Sequence, residues 1–121
     1  MARLSEKAKT LIGEIHPALV ATSSKDGKPN VSAKGSLRVL DDEHVVFADV
    51  ASPRTIANIR ENPQVNVICL DAAQRRSCRI WGTAEVINSG KLLDDISREF
   101  AARKVNVKNV VKITVDREET S

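Results

Sequence analysis

Residues 45–67 read VVFADVASPRTIANIRENPQVNV, and three elements follow from them. Val45 to Asp49 continues an apolar run from His44 and predicts a strand over 44–49. Ser52 followed by Pro53 is the favoured opening of a helix, a capping hydroxyl and then proline at the first helical position. That helix stops at Asn62-Pro63, because the residue before a proline avoids the helical region. Gln64 to Leu70 then alternates as a strand again.

Working outward, Leu4, Ala8, Leu11, Ile12 and Ile15 recur at helical spacing, with Ser5 as cap and Pro17 as terminator. Ala18 to Thr22 predicts a buried strand, and Asp26-Gly27 a hairpin turn. The return strand PNVSAKGSLRVL, residues 29–40, places Asn30, Ser32, Lys34 and Ser36 on one face and Val31, Ala33, Gly35 and Leu37 on the other. Gly35 marks a bulge or a close approach. After a turn at Asp41-Asp42 and the segment quoted above, a loop over 71–76 leads into a strand over 77–87. A helix follows over 89–104 with Leu92, Leu93, Ile96 and Phe100 on one stripe, then a strand over 110–115, and the polar tail 116–121 is expected to fray. Strands joined mainly by hairpins, with helices at the ends and one between strands, predict a mainly β, α+β domain built on an antiparallel sheet or barrel.

The 121 residues fit a single domain large enough to bury a core without disulfides or metal. Aromatic content is only 2%, so Val, Ile, Leu and Ala must build that core, and base-stacking platforms are not available. Nineteen basic residues against sixteen acidic ones give a mild, scattered excess that suits a small anionic ligand better than nucleic acid. Cys69 and Cys78 lack metal-ligand spacing, and His16 and His44 stand apart from any carboxylate cluster, so no metal site is predicted. No long apolar run is present, and a cytoplasmic protein that does not enter the membrane is expected.

Chemistry concentrates at Ser52-Pro53-Arg54-Thr55. The first turn of a helix presents unpaired N–H groups and the positive end of the dipole, which favour an anion. Arg54 adds a bidentate guanidinium and Thr55 a hydroxyl, a set matched to a phosphate. A plain capped helix whose arginine faces water is the competing reading. The polar face of the 29–40 strand is likewise either a ligand wall or a solvated edge.

In order, the segments PNVSAKGSLRVLDD, VVFADVASPRTIANIRENPQVNV and IWGTAEVI resemble the FMN-binding split-barrel family related to pyridoxamine-phosphate oxidases, over about residues 18–87. The resemblance implies a six-stranded antiparallel split β-barrel with short flanking helices, one FMN-binding domain over 1–121, and a homodimer holding one FMN at each end of its interface. It implies that Arg54 and Thr55 bind the phosphate with Ser52 close by, that Ser32, Ala33 and Lys34 line the ring and ribityl chain, and that Asp49 and Val50 offer backbone groups to the ring edge. Lys34 at the pyrimidine end would stabilise the reduced flavin anion. Trp81 packs either beneath the flavin or in the core or dimer interface, and the shortage of aromatics favours the latter pair. The C-terminal Arg- and His-containing segment with which the oxidases grip their substrate has no counterpart in the last predicted strand.

The function implied is an FMN-dependent oxidoreductase acting with a small-molecule redox partner or electron donor. No residue is nominated as catalytic, because the cofactor carries the chemistry. A non-catalytic FMN carrier or electron-transfer protein shares the same cradle. A deazaflavin carries a phosphate and a related ring and fits the same residues. Haem wants an axial histidine, and His16 and His44 both fall at element boundaries.

Overall fold

The computed structural model describes residues 2–121. Helix α1 (Glu6–Glu14) starts where Ser5 Oγ accepts from Ala8 N at 3.1 Å, and it buries Ala8, Leu11 and Ile12. Strands β1 (Ala18–Ser23) and β2 (Pro29–Lys34) form the expected hairpin, whose turn holds Gly27 at φ +85°, a conformation glycine tolerates. Strands β3 (Arg38–Asp41) and β4 (His44–Asp49) form the second hairpin. Helix α2 (Pro53–Glu61) lies between β4 and β5 (Gln64–Asp71), which pairs with β6 (Arg76–Ile87). Helix α3 (Lys91–Ala101) precedes β7 (Asn109–Thr120).

All pairings are antiparallel, and the seven strands run β2-β1-β5-β6-β7-β4-β3. Two expectations are corrected here. The strand expected over 29–40 is two strands on opposite edges of the sheet, so there are seven strands rather than six and the ladder is not closed into a barrel. The physical reason lies at residues 35–37. Ser36 Oγ accepts from Ala48 N at 2.9 Å, while Leu37 turns into the main core at 1% exposure. One continuous strand cannot serve both edges, and the chain leaves extended geometry at Gly35 to cross between them.

The tail is the second correction. Residues 116–120 do not fray but extend β7 along β6, with Trp81 opposite Arg117, Arg79 opposite Glu119 and Cys78 opposite Thr120. The long β6 supplies the ladder partners that an isolated polar tail lacks. The carboxylate of Glu118 accepts from Ser5 N at 2.8 Å and Ser5 Oγ at 2.7 Å, fastening that tail to the start of α1.

One face of the sheet joins α1 and α2 around the main core, which includes Val20, Phe47, Ile80 and Ile113. A second, smaller cluster lies on the other face of β4 and β7, where Ile96 of α3 packs on Val46, Ala48 and Val110. Strand β4 is therefore buried on both sides. That rigid placement positions the segment leaving its end, Val50 to Ser52, at the mouth of α2.

Candidate functional site

Every second residue of β2 turns toward the opening turn of α2. Asn30 Nδ2 donates to Thr55 Oγ1 at 3.4 Å, Ser32 Oγ and Thr55 Oγ1 lie 3.0 Å apart, and Lys34 Nζ donates to Ser52 Oγ. The pattern is inverted for a surface strand, since Lys34 is buried while Val31 on the opposite face is 64% exposed. That polar strand face therefore packs against the start of α2 and is not a fully solvated edge.

Ser52 occupies the N-cap of α2 and makes no side-chain bond to the helix. Its N–H instead donates to Asp49 Oδ1 at 3.1 Å, and Asp49 Oδ2 accepts from Asn109 Nδ2 at 2.8 Å. The buried Asp49 stands behind the site as a brace, and its backbone carbonyl is already taken by Lys108 N at 2.9 Å. No acidic residue sits in the first turn of α2. Arg54 is exposed there, with no carboxylate partner among the described residues. Burial pushes the Lys34 ammonium below its ordinary range, and the neighbouring Asp49 charge offsets part of that push. Two cations, a dipole end and free N–H donors therefore converge where nothing negative is exposed to meet them.

A trough of three bays runs from this point. The outer bay, about 390 Å³, is bounded by Asn30, Ser32, Lys34, Ser52, Arg54 and Thr55. The middle bay, about 410 Å³, shares Ala33, Lys34, Ala51 and Ser52 with it and adds Val50 and Ser36. Phe100 and Arg103, which close the middle bay from the end of α3, also border an inner bay of about 300 Å³. Each bay alone is in the size range of small-molecule sites. Of the residues expected at the site, Ser32, Ala33, Lys34, Val50, Ser52, Arg54 and Thr55 line the trough, whereas Asp49 supports it from behind. Trp81 lies elsewhere, half-buried beside a separate hollow, with the Arg117 guanidinium 4.7 Å from its ring centroid.

Phe100 and Arg103 were not anticipated as site residues. Phe100 is visible in sequence as part of the apolar stripe of α3, and that periodicity marks it for packing without showing that its ring also reaches the trough. Among the described residues no group of three or more His, Cys, Asp or Glu is placed to hold a metal ion. No helix in that range is long and apolar enough to cross a membrane.

The chain is similar to an uncharacterized protein of Methanocaldococcus jannaschii, with 37% identity over 118 residues covering 90% of this chain and 75% of the relative. Among solved structures, HupZ of Group A Streptococcus superposes with a TM-score of 0.89 at 27% identity, over 97% of this chain and 93% of that one. An FMN-binding protein from Syntrophomonas wolfei shares the fold with a TM-score of 0.84 at 17% identity, over 95% of this chain and 84% of that one. The family model described as pyridoxamine 5'-phosphate oxidase matches residues 4–120, nearly the whole chain, and the protein belongs to that family.

Proposed function

We propose that this protein is an FMN-binding flavoprotein that works as an oxidoreductase, with the flavin phosphate in the outer bay and the ring system in the middle bay. The observation that carries the reading is the gathering of positive charge at the start of α2, only partly offset by the buried Asp49, where Lys34, Ser52, Arg54 and Thr55 meet around a cavity. A phosphate near its dianionic state fits that donor set, because it accepts from main-chain N–H groups, a hydroxyl and two cations at once. Lys34 belongs to the phosphate end in this reading, since its ammonium reaches Ser52 at the helix cap. Bound FMN would supply the redox chemistry. The chain's own residues bind and orient it, and Val50 and Phe100 shield part of the ring from water.

Dimerisation belongs to the same proposal. Leu19, Val31 and Leu70 are 42%, 64% and 58% exposed on the face of β2, β1 and β5 opposite the core. Register places Leu19 beside Ala33 and Ile68, so these side chains form one apolar patch next to the trough. Patches of this kind mark interfaces, and a second copy related by a two-fold axis is the simplest cover.

Reconstitution tests the function. The protein should take up FMN stoichiometrically and turn yellow, and the bound flavin should then be reduced by NADH or NADPH in steady-state assays. A colourless protein that ignores added FMN overturns the flavoprotein reading. Flavin that binds but never turns over makes the protein a carrier.

A further inference from the structure

Two serines stand at the N-cap of a helix in this chain, and they behave differently. Ser5 opens α1 in the extended conformation, at ψ 159°, and its Oγ accepts from Ala8 N, the ordinary capping bond. Ser52 opens α2 at ψ 60° and makes no side-chain bond to the helix. The N–H groups of Arg54 and Thr55, the pair that a capping serine serves, have no acceptor among the described residues, and the first bond of the helix runs from Ile56 N to the Ser52 carbonyl. Both serine N–H groups meet a carboxylate, but Glu118 reaches Ser5 from the far end of the chain, whereas Asp49 closes a tight loop on Ser52 from three residues upstream. Asp49 is itself fixed at three points. Its Oδ1 accepts from Ser52 N at 3.1 Å, its Oδ2 from Asn109 Nδ2 at 2.8 Å, and its backbone carbonyl from Lys108 N at 2.9 Å. Lys34 then donates to the Ser52 Oγ that would otherwise serve the helix.

We propose that Asn109 is a positioning residue of the site, which acts through Asp49 to hold Ser52 out of its capping position and so keeps the Arg54 and Thr55 N–H groups open for a ligand phosphate. Asn109 stands opposite Asp49 in the β4–β7 register and lines none of the three bays. Without its amide the Asp49 carboxylate is free to turn toward the Lys34 ammonium, whose charge it already neighbours. Ser52 then regains the extended geometry in which Ser5 caps α1. An anion would have to displace that hydroxyl before reaching the helix head. With Asn109 in place the empty protein forgoes a capping bond, and the ligand supplies the missing acceptor. That this ligand is a flavin phosphate rests on the flavin reading; that Asn109 keeps the helix uncapped does not.

The test is a double-mutant cycle on Asn109→Ala and Ser52→Ala with two readouts. Asn109 is chosen over Asp49 because its loss leaves the charges of the site in place. The first readout, on the protein without FMN, is hydrogen exchange of the Arg54 and Thr55 backbone amides followed by NMR. Both should exchange freely in the parent, slow by about fivefold in Asn109→Ala as Ser52 caps the helix, and return to the parent rate when Ser52→Ala is added. The second readout is affinity for FMN against riboflavin. Asn109→Ala should weaken FMN by about fivefold, leave riboflavin unchanged, and add nothing to the loss caused by Ser52→Ala alone. Plain structural damage would speed the exchange, and its effect would not depend on the Ser52 hydroxyl. Unchanged or faster exchange in Asn109→Ala, or a loss of FMN affinity that persists in full in the Ser52→Ala background, overturns the proposal. Asn109→Ser, too short to reach Asp49 as the amide does, carries the same expectations should the alanine variant not fold. Slowed exchange in a protein that refuses FMN upholds the role of Asn109 and removes the flavin from it. FMN binding with unchanged exchange removes the role and leaves the flavin reading standing.

Discussion

The ammonium of Lys34 donates to the hydroxyl of Ser52, which places a buried cation at the N-terminus of α2, against the positive end of the helix dipole. Folding gains little from such an arrangement, and an incoming phosphate gains a great deal. Lys34→Met should therefore change the thermal stability of the FMN-free protein little, because relief from burying the ammonium is set against loss of the cation that faces the buried Asp49. The same change should weaken FMN by about tenfold or more, the worth of one charge-assisted hydrogen bond. Calorimetric titration of both proteins checks the pair of effects. The sign with pH follows from the same group. Burial holds the Lys34 pKa below its ordinary 10.5 in the free protein, and a bound phosphate would raise it. FMN affinity should thus fall as pH rises through the lowered value, and this alkaline decline should be absent in Lys34→Met.

Leu19 sits in the middle of the apolar patch on the outer face, between Ala33 and Ile68. Sedimentation of the parent protein should show a dimer at micromolar concentration. Leu19→Asp, which buries a charge in that interface, should sediment as a monomer with its strand content intact by circular dichroism. A parent protein that sediments as a monomer with flavin bound contradicts the proposed assembly.

At the β6 bulge, Gly82 lies so close to β7 that a Cβ there would press on Ile113 Cγ2 and come within 2.7 Å of the Thr114 carbonyl oxygen. Gly82→Ala should cost roughly 1–3 kcal/mol, the usual penalty of overpacking a core site, seen as a lower denaturant midpoint. The FMN affinity of the folded fraction should be unchanged, because the bulge is remote from the trough.

Cys69 and Cys78 face one another across β5 and β6, and burial pushes the Cys69 thiol from its ordinary 9.0 up to about 11. The folded state holds that proton to higher pH than the unfolded state does. The resulting stability is complete below about pH 8.5 and is lost as pH rises toward the folded value. Cys69→Ser should flatten the alkaline fall in melting temperature, and native Cys69 should resist alkylation until the protein is unfolded.

The helix opening at Ser52-Pro53 was legible because proline chemistry is local, although the Ser52 hydroxyl meets Lys34 and does not cap the helix as expected. So was the β1–β2 hairpin, through Asp26-Gly27. The split of the second strand was not, because it depends on the two opposite sheet edges that β2 and β3 must reach. Strand propensity reads Pro29 to Leu40 as continuous, and the decisive facts are the Ala48 N–H meeting Ser36 and the core position of Leu37. The length of β7 was hidden for a related reason, since polar residues 116–120 are held by their β6 partners and by Ser5 rather than by their own character. At the site, residue types pointed to an anion at Arg54 and Thr55. The brace from Asp49 to Ser52 and the reach of Phe100 and Arg103 into the trough are tertiary juxtapositions, invisible to spacing.

The most direct measurement compares FMN with riboflavin, which differ only in the phosphate, by fluorescence quenching on the parent protein and on Arg54→Ala. FMN should bind about a hundredfold more tightly to the parent, and Arg54→Ala should narrow that gap by about tenfold while leaving riboflavin affinity nearly unchanged. Equal affinity of the parent for the two flavins would contradict the account, since nothing at the head of α2 would then be recognising a phosphate.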